Sequence, residues 1–387
     1  MKGDGVSSNS NPLRRVGGAF DALRDWWENA KVWQRYLVYL GAIVFALILP
    51  APWIGTFMSP GADWTSVLIY PVGTYILLAV GLNVVVGQAG LLDLGFVAFF
   101  AMGGYSVAYY GTHFGWNYWA TVVFGIVMAA VSGVILGAPT LRLRGDYLAI
   151  VTLGFGEIVR ITANNTNEIG GARGITNVPH PPDMFGLKFL LDPAPYYYLI
   201  LAAIVLVIIF SVRLQKSRVG RAWAAIREDE DAAELMGVPT FKFKLLAFAI
   251  GAMIGGLAGG IYAGKAVFIE PNTFPFILSA TILAAVVLGG AGNLPGVVIG
   301  AFVIAWLPER FREVQGLKDL LGRDPAEYRI LLFGGVLVLM MALRPEGLLP
   351  SRRRKAELHE GTGGMGALGA EVPGPDTDVT TETEAAK

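Results

Sequence analysis

Side chains able to do chemistry are scarce in this sequence, and the few that interrupt apolar stretches define what is open to it. Gln88 and Asp93 stand in GQAGLLDLGFVAFFAMGGYSVAYY, residues 87–110, among Gly87, Gly90, Gly95, Gly103 and Gly104, with Asn83 just upstream. Amides and a carboxylate beside a permissive backbone, at the head of an apolar helix, suit a polar path through hydrocarbon. A cap on the helix that follows is the commoner role for an Asp at such a place. On polarity in an apolar context, Asn83, Gln88 and Asp93 are the candidates for a translocation path. Glu157 and Arg160 are three apart, the spacing of a side-chain pair on one helix face; inside a span they would need each other or a watery cavity.

Other chemistries find no foothold. There is no cysteine, which removes disulfides, thiolate catalysis and thiolate metal sites, and His113, His180 and His359 lack metal-ligand spacing. GGIYAGKA, Gly259 to Ala266, imitates a phosphate loop but has Ala266 where Ser or Thr must hold Mg²⁺. GGAGNLPG has Pro295 where a dinucleotide loop needs glycine. No Ser/His/Asp set or pair of acids assembles, so the chain reads as a non-enzyme with no catalytic residues, no metal site and no cofactor of its own.

The elements that must carry these residues are membrane helices. Of 387 residues, 54% are hydrophobic and 16% charged, with a mean hydropathy of +0.54, far from a soluble domain. Thirty basic residues balance thirty acidic ones, so no overall field steers nucleic acid to the chain. A helix needs roughly 20 apolar residues to cross the bilayer with its backbone satisfied. That ruler predicts an all-α polytopic protein with about ten spans, near 37–57, 66–86, 94–112, 118–140, 147–163, 195–212, 241–263, 275–290, 295–308 and 328–343. The fifth and ninth are short or re-entrant candidates. Ten crossings put the N-terminal basic residues, Arg142 and Arg144, the cluster from Arg213 to Arg227, and Arg352 to Lys355 on one side, which makes that side and both termini cytoplasmic.

The predicted organisation is therefore a cytoplasmic segment 1–36, a permease-like membrane domain 37–349 and a cytoplasmic tail 350–387. From Ala356 onward the tail holds seven carboxylates and one lysine, too little apolar surface to fold. The glycine series 251, 255, 259 and 256, 260, 264 on the seventh span, and 292, 296, 300 on the ninth, read as small-residue packing ridges. An extracytoplasmic loop, 164–194, and a cytoplasmic segment, 213–244, are the long hydrophilic stretches. In the latter, Val219, Trp223 and Ile226 mark the apolar face of a short amphipathic helix. Asp231 with Glu234 predicts the cap of a second helix, and Gly237 with Pro239 its end. Such a hairpin either rests on lipid headgroups or docks a cytoplasmic partner.

Five long runs, in order, carry a family likeness: GLNVVVGQAGLLDLGFVAFFAMGGYS, RLRGDYLAIVTLGFGEIVR, GGARGITNVP, RAWAAIREDEDAAELMGV and GGAGNLPGVVIGA. Together they resemble the LivM-type permease of branched-chain amino-acid ABC importers. The resemblance implies a permease subunit for Leu, Ile or Val in a bacterial or archaeal inner membrane. It implies a LivH-type second permease, two cytoplasmic ATPases that carry ATP and Mg, and an extracytoplasmic substrate-binding protein as partners. It also implies that the cytoplasmic hairpin couples to the ATPases, with Gly220, Arg221, Arg227, Glu228, Asp229, Glu234 and Gly237 as the residues concerned. Related permeases for urea and short amides commonly read SLGHG where this chain reads DLGFV, which favours amino acids. An ion-coupled secondary transporter, using Asp93, Asp146, Glu157 or Glu270, is the rival reading.

Overall fold

The computed structural model describes residues 41, 43–58, 63–141, 145–183, 188–189, 192–313, 334–335 and 348–349. The segment 1–36, Arg142 and Arg144, nearly all of the span expected at 328–343, and the tail 350–387 lie outside the described residues. The chain divides into two compact units, Met1–Ile54 and Gly55–Lys387. In the first, residues 43–48 are helical and the chain turns at Leu49 and Pro50. The span expected over 37–57 is thus interrupted where proline removes a backbone donor.

The second unit is built from helices α1 (Trp64–Gln88), α2 (Val97–Phe114), α3 (Tyr118–Thr140), α4 (Asp146–Asn165), α5 (Pro193–Lys216), α6 (Arg218–Glu228), α7 (Glu230–Leu235), α8 (Thr240–Ala266), α9 (Phe276–Gly289) and α10 (Leu294–Glu313). A small antiparallel ribbon pairs β1 (Ile175–Thr176) with β2 (Phe268–Ile269). Among the described residues, α1, α3, α5, α8 and the stretch Pro271–Gly289 are long and apolar enough to cross a membrane. α4 and α10, expected to be short or re-entrant, are unbroken helices of 20 residues each. The broken helix is α1 instead: Tyr70, beside Pro71, adopts φ −139° and ψ 123°, outside helical values. The phosphate-loop imitation Gly259 to Ala266 is helical throughout, at the end of α8.

α8 is the centre of the bundle, and its glycines explain why. A Cβ at Gly255 would meet Phe99 Cβ at 3.0 Å, and one at Gly259 would run into the Phe100 carbonyl, so this ridge lets α2 approach to backbone contact. The adjacent ridge faces α3, where a Cβ at Gly256 would meet Ala129 Cβ at 2.6 Å and one at Gly264 the Tyr118 ring at 2.6 Å. The expected role of these series as packing ridges is what the contacts show. The few polar groups near them are spent locally: the Tyr118 hydroxyl donates to the Gly260 carbonyl at 3.3 Å, and the Tyr196 hydroxyl to that of Gly264 at 2.6 Å.

Candidate functional site

Where α1 ends, the chain makes a turn-rich passage, residues 89–96, before α2 begins, and the three path candidates all lie at this break. Asn83 is fully buried, and its Oδ1 accepts a hydrogen bond from the Gly292 N–H at 2.8 Å, in the turn between α9 and α10. Gly87 leaves room for that bond, since a Cβ there would collide with Asn83 Oδ1 and approach Gly292 N to 2.5 Å. Asn83 Nδ2 and both amide atoms of Gln88 are buried with no hydrogen-bond partner among the described residues. Such groups cost free energy unless something fills the gap.

Asp93 is also fully buried. Its Oδ1 accepts from the Gly95 N–H at 2.9 Å, while Oδ2 has no partner among the described residues. The passage into α2 is held by hydrogen bonds to α4, to its own Asp93 and to α9. Thr152 Oγ1 of α4 accepts from the Leu94 N–H at 3.0 Å, Asp93 from Gly95, and Ser279 Oγ of α9 from the Val97 N–H at 2.9 Å. Of these donors only the Val97 N–H belongs to the first turn of α2, which a helix start leaves without an intrahelical acceptor. Asp93 thus pins its own turn two residues on and not the start of α2, whose cap position is Phe96, and its second oxygen stays buried.

The cytoplasmic hairpin is ordered by its own caps. Ser217 Oγ accepts from Val219 N–H at 3.1 Å to start α6. Trp223 is fully buried and its Nε1 donates to the Phe243 carbonyl at 2.7 Å, which pins α6 against α8. α7 is capped by Asp229, whose Oδ1 accepts from Ala232 N–H at 2.9 Å. The sequence pattern assigns that role to Asp231, two residues too late. α6 runs to Glu228, so Asp229 is the residue left in extended backbone (φ −155°, ψ 114°), the conformation a cap requires, while Asp231 lies inside α7. Gly237, at φ +83°, ends α7 as expected: its N–H reaches the Glu234 carbonyl at 2.9 Å and Val238 N–H that of Ala233 at 3.0 Å.

Of the seven coupling candidates, Arg221, Glu228, Asp229, Glu234 and Gly237 are exposed on the hairpin. Gly220 is half-buried, with the Leu214 and Gln215 carbonyls where a Cβ would stand. Arg227 turns inward. Its Nη1 donates to the Gly87 carbonyl, and its stem packs on Gly90, which sits at φ +74° and whose Cβ would meet Arg227 Cγ at 2.9 Å. One guanidinium thus joins the hairpin to the break that holds Gln88 and Asp93.

Three features escaped the sequence reading. Glu230 forms an ion pair with buried Lys244, tying α7 to α8. Gly292, expected on the packing ridge of the ninth span, lies instead in the turn before α10 at φ +90°, where its N–H serves Asn83. Leu235 and Met236, 89% and 85% exposed, form an apolar tip at the end of α7, a signal legible in ELMG had the helix boundary been known.

Residues 65–341 match the family described as "Branched-chain amino acid transport system / permease component". The chain is 42% identical over 311 residues to the high-affinity branched-chain amino acid transport system permease protein LivM of Escherichia coli (strain K12), covering 74% of this chain and 70% of the relative. It is 30% identical to a LivM relative from Methanocaldococcus jannaschii, over 60% of this chain and 69% of that one. To the LivH permease protein of E. coli it is 24% identical, over 71% of this chain and 91% of that one. No solved structure matches it.

Proposed function

The chain belongs to the family of branched-chain amino acid transport permease components, and from that premise we propose how it works as the membrane-spanning permease subunit of an ATP-driven importer. It is a multi-pass transport subunit for branched-chain amino acids and not an enzyme. Ten crossings with both termini cytoplasmic, in a bacterial or archaeal inner membrane, account for the one-sided basic clusters. A LivH-type second permease shares the path. Two cytoplasmic ATPases bind the ATP and Mg, and an extracytoplasmic binding protein delivers Leu, Ile or Val to the loop 164–194.

The hairpin within 213–244 is the lever. ATPase closure presses on Arg221, Glu228, Asp229 and Glu234, with the apolar tip Leu235 and Met236 as anchor, and Arg227 passes the displacement to the end of α1. The observation that carries this reading is the Arg227 to Gly87 hydrogen bond, made by a hairpin residue to the backbone of the polar break. Gln88, Asp93 and Asn83 Nδ2 then offer unpaired polar atoms to a passing polar solute or its water.

Affinity purification of the chain from native membranes tests this: ATPases and a second permease should co-purify, and L-leucine uptake should require ATP. The double replacement Arg227→Ala with Glu228→Ala should lower uptake or ATPase recovery several-fold. Normal uptake with full recovery of the complex, or uptake driven by an ion gradient with no ATPase, would overturn the reading.

A further inference from the structure

We propose that Glu157 and Arg160 of α4 form a receiving site for an α-amino-acid zwitterion, Glu157 taking its ammonium and Arg160 its carboxylate. The inference rests on the import reading above and adds residues which that reading leaves without a role. Arg160 Nε donates to Glu157 Oε2 at 2.9 Å, and Nη2 lies 2.8 Å from the same oxygen. The pair therefore closes on one carboxylate oxygen and leaves Oε1 and Nη1 outside it. Both side chains are 30% exposed.

Their surroundings are apolar. Ile158 and Ile161 beside them are 62% and 50% exposed, and nothing lies within 4 Å of where a Cβ would stand at Gly154. A half-exposed ion pair facing lipid would lose its hydration and gain little in return, so this flank of α4 faces water or a polar solute. Arg160 precedes Asn164, where the outer loop begins, by four residues, or about 6 Å along the helix. On the proposed topology the pair thus stands just inside the outer mouth, below the loop that meets the binding protein. Elsewhere on α4, Thr152 Oγ1 accepts from the Leu94 N–H ahead of α2.

The chemistry matches charge for charge. A zwitterion presents one ammonium and one carboxylate, so it exchanges the internal pair for two charge-assisted hydrogen bonds, and on leaving lets the pair close again. At no stage is a lone charge stranded in an apolar place.

The test separates this role from a merely structural ion pair. The complete importer, reconstituted in proteoliposomes with its ATPases, second permease and binding protein, is assayed for uptake of radiolabelled L-leucine and for ATP hydrolysis. Removing both charges together, E157Q with R160M, relieves a structural pair of any unpaired charge and should then leave uptake near that of the unaltered chain. A receiving site predicts instead that the double variant assembles, hydrolyses ATP and loses at least ten-fold in uptake per ATP, while R160K, which keeps the charge, retains a measurable fraction. Full uptake by the double variant, or its failure to assemble, overturns the proposal. Failure of the unaltered importer to take up leucine with ATP would count against the import reading and not against this site.

Discussion

The seam where α8 meets α2 and α3 and the break at the end of α1 are both made possible by glycine, yet they differ in what glycine admits. In the seam, missing side chains let backbones touch, and hydroxyls from α3 and α5 are satisfied by carbonyls of α8. At the break, missing side chains make room for other groups: Asn83 Oδ1 over Gly87, and the Arg227 stem over Gly90. The Tyr118 and Tyr196 hydroxyls beside the seam have their acceptors. The break holds Asn83 Nδ2, both Gln88 amide atoms and Asp93 Oδ2 without partners among the described residues. Close packing stabilises, whereas buried polar atoms left open cost stability.

Several substitutions break or sharpen this contrast. The largest effect belongs to the seam: Gly259→Val forces a side chain into the Phe100 backbone and should cost about 3 kcal/mol or more, read as loss of monodisperse protein and of its thermal transition in detergent. At the break, Asn83→Leu strands the Gly292 N–H and should cost about 1–3 kcal/mol. Gln88→Leu sheds amide atoms that have no partner and should leave the melting temperature unchanged or raised while uptake falls; a Gln88 variant that melts as low as the Asn83 variant would erase the distinction between them. On the hairpin, Asp229→Ala should cost about 1 kcal/mol by loss of a cap, and Asp231→Ala less than about 0.5 kcal/mol, a difference that chemical unfolding of the solubilised chain resolves. Smallest in stability is Leu235→Ser with Met236→Ser, within about 0.5 kcal/mol, although co-purification of the ATPases should drop several-fold.

Much of the helical framework was legible. Tyr118–Thr140 falls on its predicted bounds, because a run of apolar residues that closes its own backbone hydrogen bonds needs no distant partner. The glycine ridges of α8 and the stop at Gly237 were legible for the same local reason. Tyr70 was missed although Pro71 marks the place, since hydropathy alone does not register a broken turn. The pattern points to Asp231 and not to the actual cap, Asp229, because a cap depends on where the preceding helix stops. Arg227 reads as one more basic residue on a solvated hairpin until α1 is brought beneath it.

Sequence by itself determined the solvent of this protein, the positions of most of its described helices and the kind of transporter it is. In lipid, an apolar run of about 20 residues must satisfy its own backbone, and long ordered motifs carry family membership. Tertiary structure alone decided which polar groups are spoken for. The partner of Asn83 lies 209 residues away and that of Arg227 lies 140 away, and a hydrogen bond at such separation exists only once packed helices fix both ends.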